Sequence, residues 1–249
     1  MKSIITIKNL KKNFNQKEVL QDISFKINEG DIVALIGPNG CGKTTILNIL
    51  SKLIESDGGE FKINDFKQHD FSYIFQSYRD SLLPWKNIHE NIAFPLKLQK
   101  KSNEEIERTI SEIKQIFNLK IDLKRYPYEL SGGQQQTVSF IRALINKPKI
   151  LFIDEPFSAL DYENNLLIRK CLQEYHLRYK PTVLIITHNI EEATHLANKI
   201  VIFSRPPTKI IKIIPNKEPY PRPNSFLKSE GFNKIKDEVL DAFQIGVNL

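Results

Sequence analysis

The sequence predicts an α/β fold: a mostly parallel sheet covered by helices, with a helical block set into it. Three observations predict it. Short apolar runs at Ile32-Val33-Ala34-Leu35-Ile36, Ile150-Leu151-Phe152-Ile153, Val183-Leu184-Ile185-Ile186 and Ile200-Val201-Ile202-Phe203 have the length and composition of buried strands. Helical patterns separate these runs, as in a parallel sheet covered on both faces. From 87 to 146 the helical pattern runs without strands, so this stretch reads as a separate helical lobe.

In chain order, residues 3–10 and 19–27 read as strands, joined by a turn from Asn13 to Lys17. The run at 32–36 follows, then a glycine-rich stretch and a helix to about Leu53. Asp57-Gly58-Gly59 is a turn. Phe61 and Ile63 alternate with charged residues, and Ser72 to Phe75 is a short strand. From Asn87 to Phe117 the pattern is helical, with Ile106, Ile110, Ile113 and Phe117 at three- and four-residue steps. Ser131 is placed to cap a helix to Ile145, and Asp161 one to about Arg178. A helix from Asn189 to Ala197 separates the last two apolar strands. Prolines at 206, 207, 215, 219, 221 and 223 then change the composition. Phe232, Ile235, Val239, Leu240 and Phe243 form an amphipathic stripe, read as a short tail helix packed back on the body. Residues 1–249 are expected to form one domain, with the lobe at about 87–146 and the tail at about 215–249.

The chain has 249 residues, 41% of them hydrophobic, which is ample for a buried core. No apolar run approaches the ~18 residues of a membrane-spanning helix. Met1-Lys2-Ser3-Ile4-Ile5-Thr6 alternates like a strand rather than a signal peptide. Cys41 and Cys171 lie far apart in sequence, so no disulfide framework is expected and the reducing cytoplasm is. Net charge is +7, from 36 basic and 29 acidic residues. Nucleic acid or an anionic membrane surface would each suit it. The charge is scattered, with no block of five like charges, which favours a solvated lysine-rich surface and no nucleic-acid partner.

The stretch Gly37-Pro38-Asn39-Gly40-Cys41-Gly42-Lys43-Thr44-Thr45 lies between a buried strand and an apolar helix start. That order is what a nucleotide-phosphate cradle requires. The glycines let the backbone lie close to a polyphosphate, and the helix N-terminus adds positive potential. Lys43 supplies a full charge and Thr44 a hydroxyl for Mg²⁺. An ordinary glycine turn would not match at so many positions. On these residues the chain binds a nucleoside triphosphate.

Asp154 and Glu155 stand at the end of an apolar strand, where open parallel sheets place their ligands. One acid suits Mg²⁺; the other suits positioning and deprotonating a water for attack on the terminal phosphate. Leu130-Ser131-Gly132-Gly133-Gln134 opens a second helix with an anion-binding N-terminus. The two stretches hold five of the chain's ten glycines, so half the glycine is spent on two candidate phosphate sites.

At this point the sequence resembles the ATP-binding cassette (ABC) ATPases, through about residues 3 to 215 and with the motifs in the family's order. Leu130 to Gln134 looks like the signature motif, Gly37 to Thr45 like Walker A, and Asp154 and Glu155 like Walker B and the catalytic glutamate. Gln76 matches the Q-loop glutamine, Ser158-Ala159-Leu160-Asp161 the D-loop and His188 the switch histidine. Phe14 stands where the family has an adenine-stacking aromatic. Singly, Gln76, Phe14 and His188 read as a surface amide, a core ring and a strand-end histidine; their joint order overturns that. The resemblance implies a P-loop NTPase fold of ABC type with an antiparallel β subdomain. It also implies ATP and Mg²⁺, the metal held by Thr44, Gln76 and Asp154. Finally, it implies an ATP-dependent head-to-tail homodimer in which Ser131, Gly132, Gly133 and Gln134 of one copy cover ATP on the other.

Departures are Asn189, where aspartate is common, and Thr137, where arginine is. Cys41 lies near a helix N-terminus, which is expected to lower its thiol pKa and make it a target of alkylators from which ATP protects. Gln76 with Leu82-Leu83-Pro84-Trp85 and Asn87 to Asn91, and Phe203-Ser204-Arg205-Pro206-Pro207, resemble the nitrate/sulfonate/taurine importers. That implies a peripheral subunit on the cytoplasmic face of the membrane, beside a separate permease and a substrate-binding protein. Trp85 is then either part of the permease-docking groove or a core aromatic. Alternatives are the ATPase of an exporter or lipid-extraction system, or one acting on nucleic acid or ribosomes. The last usually carries two cassettes, a long coiled coil or zinc-ligand insertions.

Overall fold

The computed structural model describes residues 2–64, 70–77, 81–157 and 160–248. The chain opens with β1 (Ser3–Phe14) and β2 (Lys17–Asn28), an antiparallel pair. Both strands run longer than the alternation predicts, because the turn is only Asn15-Gln16, at φ 46 and 67. β3 (Ile32–Ile36) feeds α1 (Lys43–Leu50), and β4 (Gly58–Ile63) returns to pair antiparallel with β1.

The second sheet adds β5 (Phe71–Ile74), β6 (Ile150–Asp154), β7 (Thr182–Ile186), β8 (Lys199–Phe203) and β9 (Ile210–Pro215), in the order β5-β6-β7-β3-β8-β9. Every pair is parallel except the antiparallel β8–β9 edge. Alternate residues of β3 point to opposite faces of the sheet. Val33 and Leu35 join an apolar cluster with β1, β2 and α1, while Ile32, Ala34 and Ile36 join one beneath the other helices. A strand buried on both faces must be apolar throughout, hence the uninterrupted runs. β9 escapes the sequence pattern because it is a largely exposed edge strand without a fully apolar run. Pro215 closes it, as proline is tolerated at an edge.

Between β5 and β6 lie α2 (Ile88–Leu98), α3 (Asn103–Ile116) and α4 (Gly132–Leu144). The single helical stretch expected from 87 to 117 is thus two helices. Ser102 starts the second with a capping box to Glu105, which satisfies backbone donors that a helix interior would not leave open. Ile106, Ile110, Ile113 and Phe117 are buried as their spacing predicts. Asp161 caps α5 (Tyr162–Tyr179) and Asn189 caps α6 (Ile190–Leu196).

The tail helix, α7 (Glu230–Asn248), is 19 residues long rather than short. It packs on β8, β9 and α6. Phe232 and Val239 are buried against the body, but Leu240 is on the solvent side, off the contact stripe. Ahead of it the chain is fastened by buried Arg222. Its guanidinium donates to the carbonyls of Ala197 and Glu218, both at 2.8 Å, and of Thr194 at 3.2 Å. It thereby satisfies the open carbonyls at the end of α6. No helix of the described residues is long and apolar enough to cross a membrane.

Candidate active site

The glycine stretch turns from the end of β3 into α1. Gly42 has φ 91, and a Cβ there would lie 2.7 Å from Leu20 Cδ2. Conformation and space both demand glycine. The N-terminus of α1 has no side-chain cap and no acid in its first turn. Its leading N–H groups therefore keep their capacity for an anion. Lys43 is buried, and its Nζ donates to the carbonyls of Gly37 at 2.8 Å and Pro38 at 3.0 Å, laying the ammonium along the loop.

Thr44 Oγ1 donates to Asp154 Oδ2 at 2.8 Å, tying α1 to the end of β6. Burial pushes the Asp154 carboxyl above its ordinary value; the Thr44 bond pulls it down, and the charge of Glu155 adds to the rise. Hydroxyl and carboxylate oxygens side by side are hard donors suited to Mg²⁺, which completes its shell with water and phosphate oxygens. Among the described residues no cluster of three or more His, Cys, Asp or Glu could hold a metal by itself. A cation at Thr44 and Asp154 would need further ligands from elsewhere.

Glu155 follows at φ 45, a left-handed conformation uncommon outside glycine, and its N–H donates to the carbonyl of Ile186 at 3.0 Å. Gln76 Nε2 donates to Glu155 Oε2 at 3.1 Å, and His188 Nδ1 lies 3.5 Å from the same oxygen. These residues come from the ends of β5, β6 and β7, which are neighbours in the sheet. Strand order, not sequence distance, assembles them.

One open cleft of about 910 Å³ gathers most of these residues. Its walls include Phe14, Gly37, Pro38, Asn39, Gly40, Gly42, Lys43, Thr44 and Thr45, with Gln76, Glu155 and His188. Phe14 is 46% exposed, so it is not a core ring. Val19, Arg205, Phe243 and Val247 also line the cleft, and sequence reasoning missed them as site residues. Phe243 read only as part of an apolar stripe, and no local pattern says where a tail helix ends.

Burial corrects one expectation and decides between two readings of another residue. Cys41 is buried beneath the loop and is not a wall of the cleft. Burial pushes its thiol pKa up, outweighing the opposing charge of Lys43, so the expected low-pKa, alkylator-sensitive thiol is corrected to an inert one. Trp85 is 71% exposed, which rules out the core reading. Buried Asn91 pins the turn that carries it, accepting from the N–H of Leu83 at 2.8 Å and donating to the carbonyl of Lys86 at 2.9 Å. Ser131, Gly132, Gly133 and Gln134 are not walls of this cleft. Ser131 Oγ accepts from the Gln134 N–H at 3.3 Å, and Gln134 Oε1 from the Ser131 N–H at 3.0 Å, a capping box that starts α4. Thr137 Oγ1 donates to the carbonyl of Gly133 at 2.9 Å. Ser158 and Ala159 of the expected D-loop lie outside the described residues.

Known proteins share the sequence and the fold. A model of the ABC transporter family matches residues 20–158. An aliphatic sulfonates import ATP-binding protein, SsuB of a Bacillus cereus strain, is 38% identical over 97% of this chain and 96% of its own length. The spermidine/putrescine import ATP-binding protein PotA of Mannheimia succiniciproducens is 35% identical over 82% of this chain and 56% of its own. Among solved structures, the dimeric bacterial ABC transporter cassette MJ0796 superimposes with a TM-score of 0.70 at 30% identity, covering 80% of this chain and 93% of that one. The same cassette in a post-hydrolysis state bound to ADP and Pi gives 0.71 at 28% identity, over 84% and 99%. Matched by the family model over more than half of its length and by an import ATP-binding protein along nearly all of it, the chain belongs to the ABC transporter family as an ATP-hydrolysing cassette.

Proposed function

We propose that this chain is the peripheral, cytoplasmic-face ATPase subunit of an importer for aliphatic sulfonates or a similar small organic anion. A separate permease and a substrate-binding protein complete the system. The observation that carries the ATPase assignment is the convergence of Gln76 and His188 on one oxygen of Glu155, beside the phosphate loop. Similarity to a sulfonate importer's ATP-binding protein along 96% of that protein supports the solute class. A polyamine relative is nearly as identical but is spanned over only 56% of its length.

In this reading Lys43 and the N–H groups opening α1 bind the β- and γ-phosphates of ATP. Phe14 takes the adenine. Thr44 and Asp154, with Gln76, hold Mg²⁺. When bound, the metal spreads the negative charge of the phosphate oxygens. Glu155 orients the attacking water and accepts its proton, while Gln76 and His188 fix that carboxylate. The two adjacent acids have different partners, Asp154 the Thr44 hydroxyl and Glu155 the Gln76 amide and the His188 ring, which suits them to different ends of the reaction.

Ser131 and Gly133 act on ATP held by a second copy, Gly132 and Gln134 completing that helix start. Their place outside the single-chain cleft supports this arrangement. Contacts to a γ-phosphate that ADP lacks then make the closed dimer depend on ATP. Residues 1–249 act as one cassette, in which the helices between 87 and 146 form the lobe that meets the permease, with exposed Trp85 in the docking surface.

The test is genetic and biochemical. Deleting the gene in its source strain should abolish growth on an alkanesulfonate as sole sulfur source and spare growth on sulfate. Wild type, but not Lys43→Ala, should restore it. Undiminished growth overturns the sulfonate assignment. Glu155→Gln protein should retrieve a multi-span permease from detergent-solubilised membranes; ribosomal proteins without a permease would overturn the transport role.

A further inference from the structure

The walls of the cleft are of two chemical kinds. The loop, Lys43, Thr44 and Glu155 supply polar groups matched to polyphosphate. The remaining walls include Phe14, Val19, Phe243 and Val247, all apolar. Two come from the antiparallel sheet and two from the C-terminal turns of α7, more than 200 residues away in sequence. A nucleoside triphosphate divides in the same way, into a charged chain and a flat, largely apolar base.

The end of α7 is held there by specific bonds. The Arg205 N–H donates to the carbonyl of Gly246 at 3.0 Å, and Arg205 Nε donates to the carbonyl of Val247 at 2.8 Å. α7 has no basic residue in its own last turn, so Arg205 supplies the cation that suits the negative end of the helix dipole. Gly246 is buried so closely that a Cβ would sit 2.6 Å from the carbonyl oxygen of Phe203, the last residue of β8. Glycine there brings the helix backbone onto the strand end. One turn earlier and one residue later, Phe243 and Val247 are half-buried, keeping part of their surface toward the cleft.

We infer that the C-terminal turn of α7 is part of the nucleotide site: Phe243 and Val247 form, together with Phe14 and Val19, the apolar walls that receive the nucleoside base, with Arg205 as the residue that positions them. The inference rests on the ATP-binding reading of this cleft. It makes the tail a determinant of nucleoside affinity rather than only packing.

The test compares two ligands, Mg-ATP and Mg-tripolyphosphate, which share the phosphate chain but not the base. Kd values would be measured by calorimetry for wild type, Phe243→Ala and Val247→Asn, with melting curves to show folding. Val247 lies in the last turn and is the milder change if Phe243→Ala unfolds the tail. Removing a base–aromatic stack predicts a rise of about fivefold to a hundredfold in the Kd for ATP with Phe243→Ala. Val247→Asn should raise it about tenfold, the lower end of a methylene-scale effect. Neither variant should change the Kd for tripolyphosphate. Unchanged ATP affinity in both folded variants overturns the inference. So does a parallel loss for both ligands, which would make α7 a support for the loop. Wild-type protein that binds neither ligand overturns the ATP-binding reading itself.

Discussion

His195 makes the stability of this protein depend on pH in a way the geometry specifies. The ring is 1% exposed on α6. Its Nε2–H donates to the carbonyl of Arg222 at 2.8 Å, which leaves Nδ1 bare and facing Arg169 Nη1 at 3.5 Å. Arg169, from α5, is itself buried and paired with Glu191 at 3.1 Å. The Arg222 guanidinium donates to the backbone carbonyl of His195 itself at 3.3 Å. A second proton would put an N–H against a buried guanidinium. Burial, with the two arginines, pulls the His195 pKa from 6.5 to about 4, against the raising effect of the bond to the Arg222 carbonyl. The unfolded chain therefore takes a proton near pH 6.5 and the folded one only near 4. The unfolded state binds more protons in that window, so stability falls as pH falls through it. Linkage over that interval gives a loss of about 2.5 kcal/mol at pH 4.5 relative to pH 7.5. Burial lowers His176 as well, and acids titrate in the same range, so the contribution is isolated with His195→Gln. The glutamine amide can donate to the Arg222 carbonyl and accept from Arg169 without titrating. Urea unfolding at the two pH values should show wild type losing about 2.5 kcal/mol more than the variant. Equal losses would refute the assigned tautomer and its electrostatics.

Three further outcomes follow from the same geometry. Glu155→Gln should slow phosphate release by about 10²- to 10⁴-fold while ATP still binds, because a general base is lost and the phosphate loop is untouched; rapid hydrolysis by the variant would contradict the role of Glu155. Gly42→Ala should cost about 1–2 kcal/mol for the left-handed backbone and about 1–3 kcal/mol for crowding Leu20 and Val19, read as a lower urea midpoint. An unshifted midpoint would mean the loop relaxes freely. Neither Cys41 nor Cys171 should react with a maleimide at pH 7.5 until urea is added, since both are buried free thiols whose pKa values burial raises, that of Cys171 to about 12. Prompt labelling in the folded protein would show that the loop opens.

Much of the site was legible because its chemistry is written in contiguous residues. The stretch from Gly37 to Thr45 needs glycine at Gly42 for a backbone reason, and Asp154-Glu155 needs an apolar strand before it; both conditions are local. Gln76 and His188 were legible only through their order along the chain. Alone, each is an unremarkable polar residue at a strand end. Cys41 misled because nearness to a helix N-terminus is local, whereas its burial beneath Thr208 and the loop is not. Thr208 donates to the Cys41 carbonyl from 167 positions away. Trp85 was open to two readings for the same reason, since exposure depends on neighbours that no local pattern names.

The sequence by itself determined the apolar strands, the caps at Ser131 and Asp161, and the phosphate loop. All follow from periodicity and backbone chemistry within a few residues. Tertiary structure alone decided that β5, β6 and β7 lie side by side, so that Gln76, Glu155 and His188 meet at one oxygen. It alone decided that Arg222 closes α6 and that α7 ends at the nucleotide cleft. Those contacts join residues that are distant along the chain. They are fixed by the packing of whole elements and by buried donors that must find acceptors, and neither condition leaves a local trace in the chain.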